Sequence, residues 1–115
     1  PMVPLSRNVA KKHAMEMLLT GDLINAEKAM NIGLINDIFE TEKLNKEVTE
    51  IANKIASKSK TTIKIGKKAF YEQKEMSLED AYKYTSKIMA ENMLHQDSEE
   101  GISAFLEKRI PNWKE

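Results

Sequence analysis

The sequence predicts an all-α protein, and three observations carry that prediction. Only four glycines and three prolines occur in 115 residues, so helices meet few breakers. Apolar residues recur three and four positions apart through most of the chain, which is the period of an amphipathic helix. Serine, threonine and asparagine precede these segments, where their side chains can cap a helix. We therefore expect about five or six helices and no sheet.

The start of the chain is predicted to form an extended lead-in and one helix. Prolines at positions 1 and 4 disfavour helix, so residues 1–5 are expected to be extended. Ser6 is the expected N-cap of a helix that reaches about Thr20.

Two glycines delimit a short second helix. Gly21 follows an apolar run and can take the left-handed conformation that closes a helix. Asn25 is the expected N-cap of the next helix, and Gly33 is expected to end it after about two turns. Residues 34–39 then form an extended segment that is too short to make a sheet alone.

Two more helices are predicted between residues 41 and 73. Thr41 begins the first, and Thr61 or Thr62 is the expected cap of the second. One apolar face of the first helix is predicted from Leu44, Val48, Ile51, Ala52 and Ile55.

The longest predicted helix follows Ser77, which forms a capping box with the acid three residues after it, and ends near His95. Asp97 or Ser98 is expected to begin the last helix, which Pro111 ends. The predicted apolar face of this last helix is Ile102, Phe105 and Leu106, with Phe105 in the core.

Composition excludes several classes of protein. The formal net charge is zero, which argues against a nucleic-acid-binding protein. The absence of cysteine excludes disulfides, cysteine-based zinc sites and thiol catalysis. No apolar run reaches the length of a membrane span, so no membrane partner is expected. Because the chain begins with Pro1 and not Met, we expect it to be a piece of a longer protein.

No group of residues in the chain predicts a catalytic or metal centre. His13 and His95 are far apart in sequence, and neither has a second ligand at the spacing of a metal site. Glu99 and Glu100 suit the positive end of a helix better than a general acid–base pair.

Six lysines and no acid lie between residues 51 and 71. A solvated basic face explains the pattern and is the interpretation we favour, although attraction for an anion such as a phosphate would also explain it. The lysines are Lys54, Lys58, Lys60, Lys64, Lys67 and Lys68.

Two motifs give the chain a family resemblance. Residues 18–36 contain LLTG, then IxAExA and xGLIN, and residues 99–113 read EEGISAFLEKRIPNW. In this order and separation they resemble the crotonase superfamily of enoyl-CoA hydratases and isomerases, and within it the hydratase-domain-containing branch. The resemblance covers nearly the whole chain, but only the C-terminal part of such a protein.

The resemblance implies the C-terminal helical, trimerisation-type domain of the crotonase fold, without its ββα spiral core. Residues 1–40 would be helices leaving that core. Residues 41–115 would form one compact unit that caps the acyl-CoA site and mediates oligomerisation. The parent protein would be a homotrimer or hexamer.

The implied activity is hydration or isomerisation of enoyl-CoA thioesters in fatty-acid metabolism, with coenzyme A as part of the substrate and no separate cofactor. Hydration needs a carboxylate that activates water and two backbone donors for the enolate oxygen. No glycine-rich loop here supplies such donors, so we expect no catalytic residue in the chain and no activity from it alone. The cytoplasm and the mitochondrial matrix are both open as compartments.

Two residues are candidate contacts for coenzyme A. In the family, the lysine of the EKR motif, which is Lys108 here, reaches the coenzyme A of a bound ligand, often across a subunit boundary. A helix C-terminal lysine favoured by the helix dipole explains Lys108 equally well. Met89 stands where the family often has an aromatic residue against the adenine, and a methionine can also pack on a ring.

A free-standing helical interaction module without catalysis is the alternative. Apolar helix faces that lack a core need a partner in either case. The upstream sequence would separate the two hypotheses, because a spiral core with the family carboxylates would support the enzyme.

Overall fold

The computed structural model describes residues 2–114, and within this range the chain forms seven helices and no strand. The all-α prediction is therefore confirmed for these residues, and segment 34–39 is not a strand. The helices are α1 (Met2–Asn8), α2 (Lys11–Thr20), α3 (Ala26–Asn31), α4 (Thr41–Ala56), α5 (Lys60–Gln73), α6 (Leu78–Met93) and α7 (Gln96–Leu106). One compact unit ends at Val48 and the second begins at Thr49.

The predicted extended lead-in is wrong for the residues described, because α1 already begins at Met2. Pro4 lies in the first turn of α1, where a missing N–H costs nothing because those N–H groups have no partner within the helix. Ser6 is not a cap either. Its hydroxyl donates to the carbonyl oxygen of Val3 at 3.2 Å from inside α1, and Ala10 precedes α2 instead.

The three predictions between residues 21 and 33 are confirmed. Gly21 closes α2 with a φ of 67°, and its N–H donates to the carbonyl oxygen of Met17. Asn25 caps α3 by accepting a hydrogen bond from the N–H of Lys28 at 2.8 Å. Gly33 follows α3 with a φ of 79°, as a left-handed helix terminus requires.

The predicted cap of α5 is wrong by two to three positions. Ser59 caps this helix, since its hydroxyl accepts the N–H of Thr62 at 3.2 Å. The predicted cap of α6 is confirmed, and Ser77 accepts the N–H of Asp80 at 3.2 Å. The last helix begins at Gln96, directly after His95.

The second unit is built from three helices, in which α5 packs on both α6 and α7, and α6 packs on α7. Small residues make the close contacts, because Ala69, Ala81 and Ala104 are buried and, within the described residues, no large side chain is fully buried. Phe105 was predicted to lie in the core, but it is 82% exposed. The physical reason is that α7 turns Ala104, which is 1% exposed, towards its neighbours.

Candidate functional site

The turn that follows α7 places Lys108 in an unusual backbone conformation. Its φ is 54°, and it is the one non-glycine residue with a positive φ among residues 2–114. The N–H of Lys108 donates to the carbonyl oxygen of Phe105 at 3.2 Å, and that of Arg109 donates to Ala104 at 3.0 Å. This pair of bonds is the Schellman ending of a helix, in which glycine is the usual left-handed residue.

Glu100 of α7 holds the residues that follow Lys108. The guanidinium Nη1 and Nη2 atoms of Arg109 donate to the two carboxylate oxygens of Glu100 at 2.5 and 3.0 Å. The backbone N–H of Asn112 donates to Oε1 of the same carboxylate at 2.6 Å. Arg109 and then Asn112 lower the pKa of Glu100 from 4.5 to about 2. The carboxylate therefore remains ionised and keeps both partners down to strongly acidic pH.

A second carboxylate anchors the tail, by which we mean residues 108–114, at its far end. Asp97 is buried, and its Oδ1 accepts the backbone N–H of Lys114 at 2.9 Å. Its Oδ2 accepts the hydroxyl of Ser59 at 2.5 Å. The hydrogen bond from Ser59, followed by that from Lys114, lowers the pKa of the Asp97 carboxyl below its ordinary value.

The indole of Trp113 is the third anchor of the tail. Its Nε1–H donates to the carbonyl oxygen of Ser57 at 2.8 Å. The ring lies beside Gly101 of α7, where an added Cβ would be only 3.5 Å from two ring carbons. The tail thus lies against the start of α5 and along α7, in positions set by polar contacts.

An apolar groove of about 570 Å³ runs beside these contacts. Asn92 lines part of this groove. The buried Oδ1 atom of Asn92 accepts no hydrogen bond from residues 2–114. The apolar lining comes from α5, α6, α7 and the tail, and includes Ile63, Met93, Ile102, Phe105, Leu106 and Trp113.

The two predicted coenzyme A contacts lie on different elements, and neither lines this groove. Lys108 is exposed in the turn after α7 and makes no ion pair with any residue between 2 and 114. Met89 is 64% exposed on α6. The pattern of the sequence indicated neither Glu100 nor Asp97 as a functional group, because their partners in the tail are brought to them only by folding.

Within the described part of the chain, no three histidine or acidic side chains converge in a way that could hold a metal ion. None of the helices described there has the length and apolarity that crossing a membrane requires. The basic stretch of α5 is exposed, and its Lys68 pairs loosely with Glu72 at 3.8 Å.

Comparison with known proteins agrees with the all-helical architecture and with both sequence motifs. A family model described as enoyl-CoA hydratase/isomerase matches residues 2–115. The chain therefore belongs to the enoyl-CoA hydratase/isomerase family, and the resemblance to the crotonase superfamily is confirmed.

Two curated relatives show how much of a family member the chain represents. It is 44% identical over 113 residues to the mitochondrial enoyl-CoA hydratase domain-containing protein 3 of Rattus norvegicus. The match covers 98% of the chain and 38% of the rat protein. It is 36% identical over 109 residues to the crotonyl-CoA hydratase of Syntrophomonas wolfei, covering 95% of the chain and 42% of that protein. The chain thus spans about two fifths of the length of these relatives.

Solved structures match the helical arrangement closely. The enoyl-CoA hydratase of Mycobacterium smegmatis superposes with a TM-score of 0.95 at 42% identity, over 100% of this chain and 45% of its own. The human enoyl coenzyme A hydratase domain-containing protein 3 superposes with a TM-score of 0.93 at 43% identity, over 98% of this chain and 45% of its own. The chain is therefore a helical part of the crotonase fold.

Proposed function

We propose that this chain is the C-terminal helical part of a protein that hydrates or isomerises enoyl-CoA thioesters, and that it caps the acyl-CoA site. The observation that carries the proposal is the exposed ammonium of Lys108. Its ammonium is exposed and unpaired among residues 2–114, at a turn whose backbone is held on both sides. A free ammonium at a fixed turn suits a phosphate of coenzyme A. Met89 is the proposed second contact, against the adenine.

Hydration itself is assigned to the rest of the full-length protein. The reaction needs a positioned carboxylate and two backbone donors for the enolate oxygen. Asp97, which is the buried acid among the described residues, and Glu100 are both occupied with the tail. No separate cofactor is proposed, since coenzyme A enters as part of the substrate.

Replacing Lys108 in the full-length protein tests the ligand contact. Lys108→Ala is expected to weaken binding of an acyl-CoA by about 0.5–2 kcal/mol, the range for a partly exposed charged contact. The loss should shrink as salt rises, because screening weakens the contact that the wild type makes. Turnover at saturating substrate should change little, because the phosphates are remote from the reacting bond.

A pantetheine thioester, which lacks the nucleotide, is the control ligand. The wild type and Lys108→Ala should bind it equally well. An equal loss with both ligands would assign Lys108 to the fold or to a subunit contact, and the ligand role would be dropped.

Oligomerisation is the second proposed role, and the apolar face of α4 supports it. Each of its large apolar side chains is about half exposed, at 45–54%. That face consists of Leu44, Val48, Ile51 and Ile55. An exposed apolar face of this kind marks a surface that another protein surface covers. The proposed assembly is a homotrimer or hexamer of the full-length protein, and a free-standing interaction module remains the alternative.

The proposed compartment is the mitochondrial matrix or the cytoplasm. The rat relative is named as a mitochondrial protein, which favours the matrix. Fractionation of cells that express the full-length protein, followed by immunoblotting of both fractions, tests this assignment.

A further inference from the structure

We infer that Glu100 is a positioning residue for Lys108, an inference that rests on the proposed contact between Lys108 and coenzyme A. Glu100 fixes the tail on α7 and thereby fixes the left-handed backbone from which the Lys108 side chain projects.

Lys108 has a strained backbone. An L-residue with a side chain is disfavoured at a φ of 54°, so the surrounding structure must hold it there. The Schellman bonds hold Lys108 from the side of α7. On the other side, the next residue along the chain is Arg109, and its guanidinium is bound by the Glu100 carboxylate.

The geometry of the Glu100 carboxylate supplies a further support beyond Arg109. Glu100 binds the side chain of Arg109 and the backbone of Asn112 at the same time, so it fixes two points of the chain after Lys108. Its side chain is only 14% exposed, which limits competition from water. Without Glu100, Arg109 and Asn112 would lose their contact with α7 while Trp113 and Lys114 stayed anchored, and Lys108 could relax to a right-handed or extended backbone that points its side chain elsewhere.

The charges around the turn leave the Lys108 ammonium without an ion pair among residues 2–114. Arg109 donates to Glu107 at 2.6 Å as well as to Glu100, so one guanidinium serves both nearby carboxylates. Lys108 consequently forms no ion pair with residues 2–114, and its ammonium is left for an external anion. Glu100 therefore positions the Lys108 ammonium by binding the neighbouring Arg109 guanidinium.

A double-mutant cycle in the full-length protein tests the inference. The dissociation constant of coenzyme A is measured by calorimetry for the wild type, Glu100→Gln, Lys108→Ala and the double variant. Glu100→Gln should weaken binding, by no more than Lys108→Ala does, because it acts only through that side chain. The double variant should bind as Lys108→Ala does.

Glu99→Gln is the matched control, since it removes the same charge from the neighbouring exposed position of α7. It should leave the affinity unchanged. Arg109→Lys supplies an independent variant, because it keeps the positive charge but loses the guanidinium that binds Glu100 through two nitrogens. It should weaken binding when Lys108 is present and have no effect in the Lys108→Ala background.

Amide hydrogen exchange supplies a readout that does not depend on the ligand. Exchange at Asn112 should accelerate in Glu100→Ala, which removes the acceptor of that N–H, and stay unchanged in Glu99→Ala. Unchanged exchange at Asn112 in Glu100→Ala would overturn the inference.

The binding results separate two kinds of failure. Unchanged affinity in Lys108→Ala would refute the proposed ligand contact, and the inference with it. Weaker binding by Lys108→Ala, combined with wild-type binding by Glu100→Gln, would refute only the positioning role. A loss from Glu100→Gln that persists in the Lys108→Ala background would also refute it, because Glu100 would then act by another route.

Discussion

The hydroxyl of Ser59 donates to Oδ2 of Asp97 at 2.5 Å, and both residues are buried although 38 positions separate them in the sequence. The same hydroxyl oxygen accepts the N–H of Thr62 and so caps α5. One serine therefore satisfies a helix terminus and a buried carboxylate together. Because Asp97 also accepts the N–H of Lys114, this contact connects the start of α5 to the end of the tail.

Removing that serine should destabilise the chain more than removing an ordinary cap. Ser77→Ala is the comparison, because Ser77 caps α6 at an exposed position and should cost about 1 kcal/mol. Ser59→Ala loses a cap as well and also leaves the buried Asp97 carboxylate without its hydroxyl donor. Urea unfolding followed by circular dichroism measures both variants. Equal costs would show that the contact with Asp97 adds nothing.

The stability of the chain should fall in acid partly because of Glu100. Its folded-state pKa of about 2 lies below the ordinary value of 4.5, so the unfolded chain binds more protons between these values. The stabilisation is therefore complete above pH 4.5 and is lost as the pH falls towards about 2. Urea midpoints measured against pH should fall less steeply for Glu100→Gln than for the wild type. Glu99→Gln should follow the wild type, and coincident curves for all three proteins would contradict the prediction.

The backbone at Lys108 predicts an unequal effect of two small substitutions. Glycine adopts a positive φ without a steric penalty, whereas alanine does not. Lys108→Gly should therefore be more stable than Lys108→Ala by about 1 kcal/mol, although glycine is usually the less stable choice at a helix end with a negative φ. Thermal unfolding of the two variants measures the difference. Greater stability of the alanine variant would show that the turn is not left-handed in solution.

The chain on its own should associate with itself through exposed apolar surfaces such as the face of α4. Light scattering at rising concentration should show a mass above that of the monomer. Ile51→Glu places a charge on the apolar face and should shift the equilibrium towards the monomer. Asn53→Glu, on the opposite side of the same helix, is the control and should not. A strict monomer at high concentration would refute the prediction.

The sequence by itself determined the helical class and most of the helix ends. Gly21, Asn25, Gly33 and Ser77 were all identified correctly, because each acts through its own φ or through a hydrogen bond to a residue three or four positions away. Such contacts depend on local sequence alone. The two motifs that indicate the family were also recognised from the sequence, and the match to the family model confirms that resemblance.

Only the tertiary structure decided which of several polar residues would cap α5 and bind the tail. Four hydroxyl side chains lie close together before and within the start of α5, and Ser59 is the cap that also meets Asp97, far along the chain. Phe105 is exposed because α7 packs through the small Ala104, a choice that helical spacing does not reveal. Arg109, the residue after the left-handed turn at Lys108, is bound by Glu100, nine positions earlier in the chain. These outcomes are set by partners that meet only when the helices pack and the tail folds back, so local pattern could not supply them.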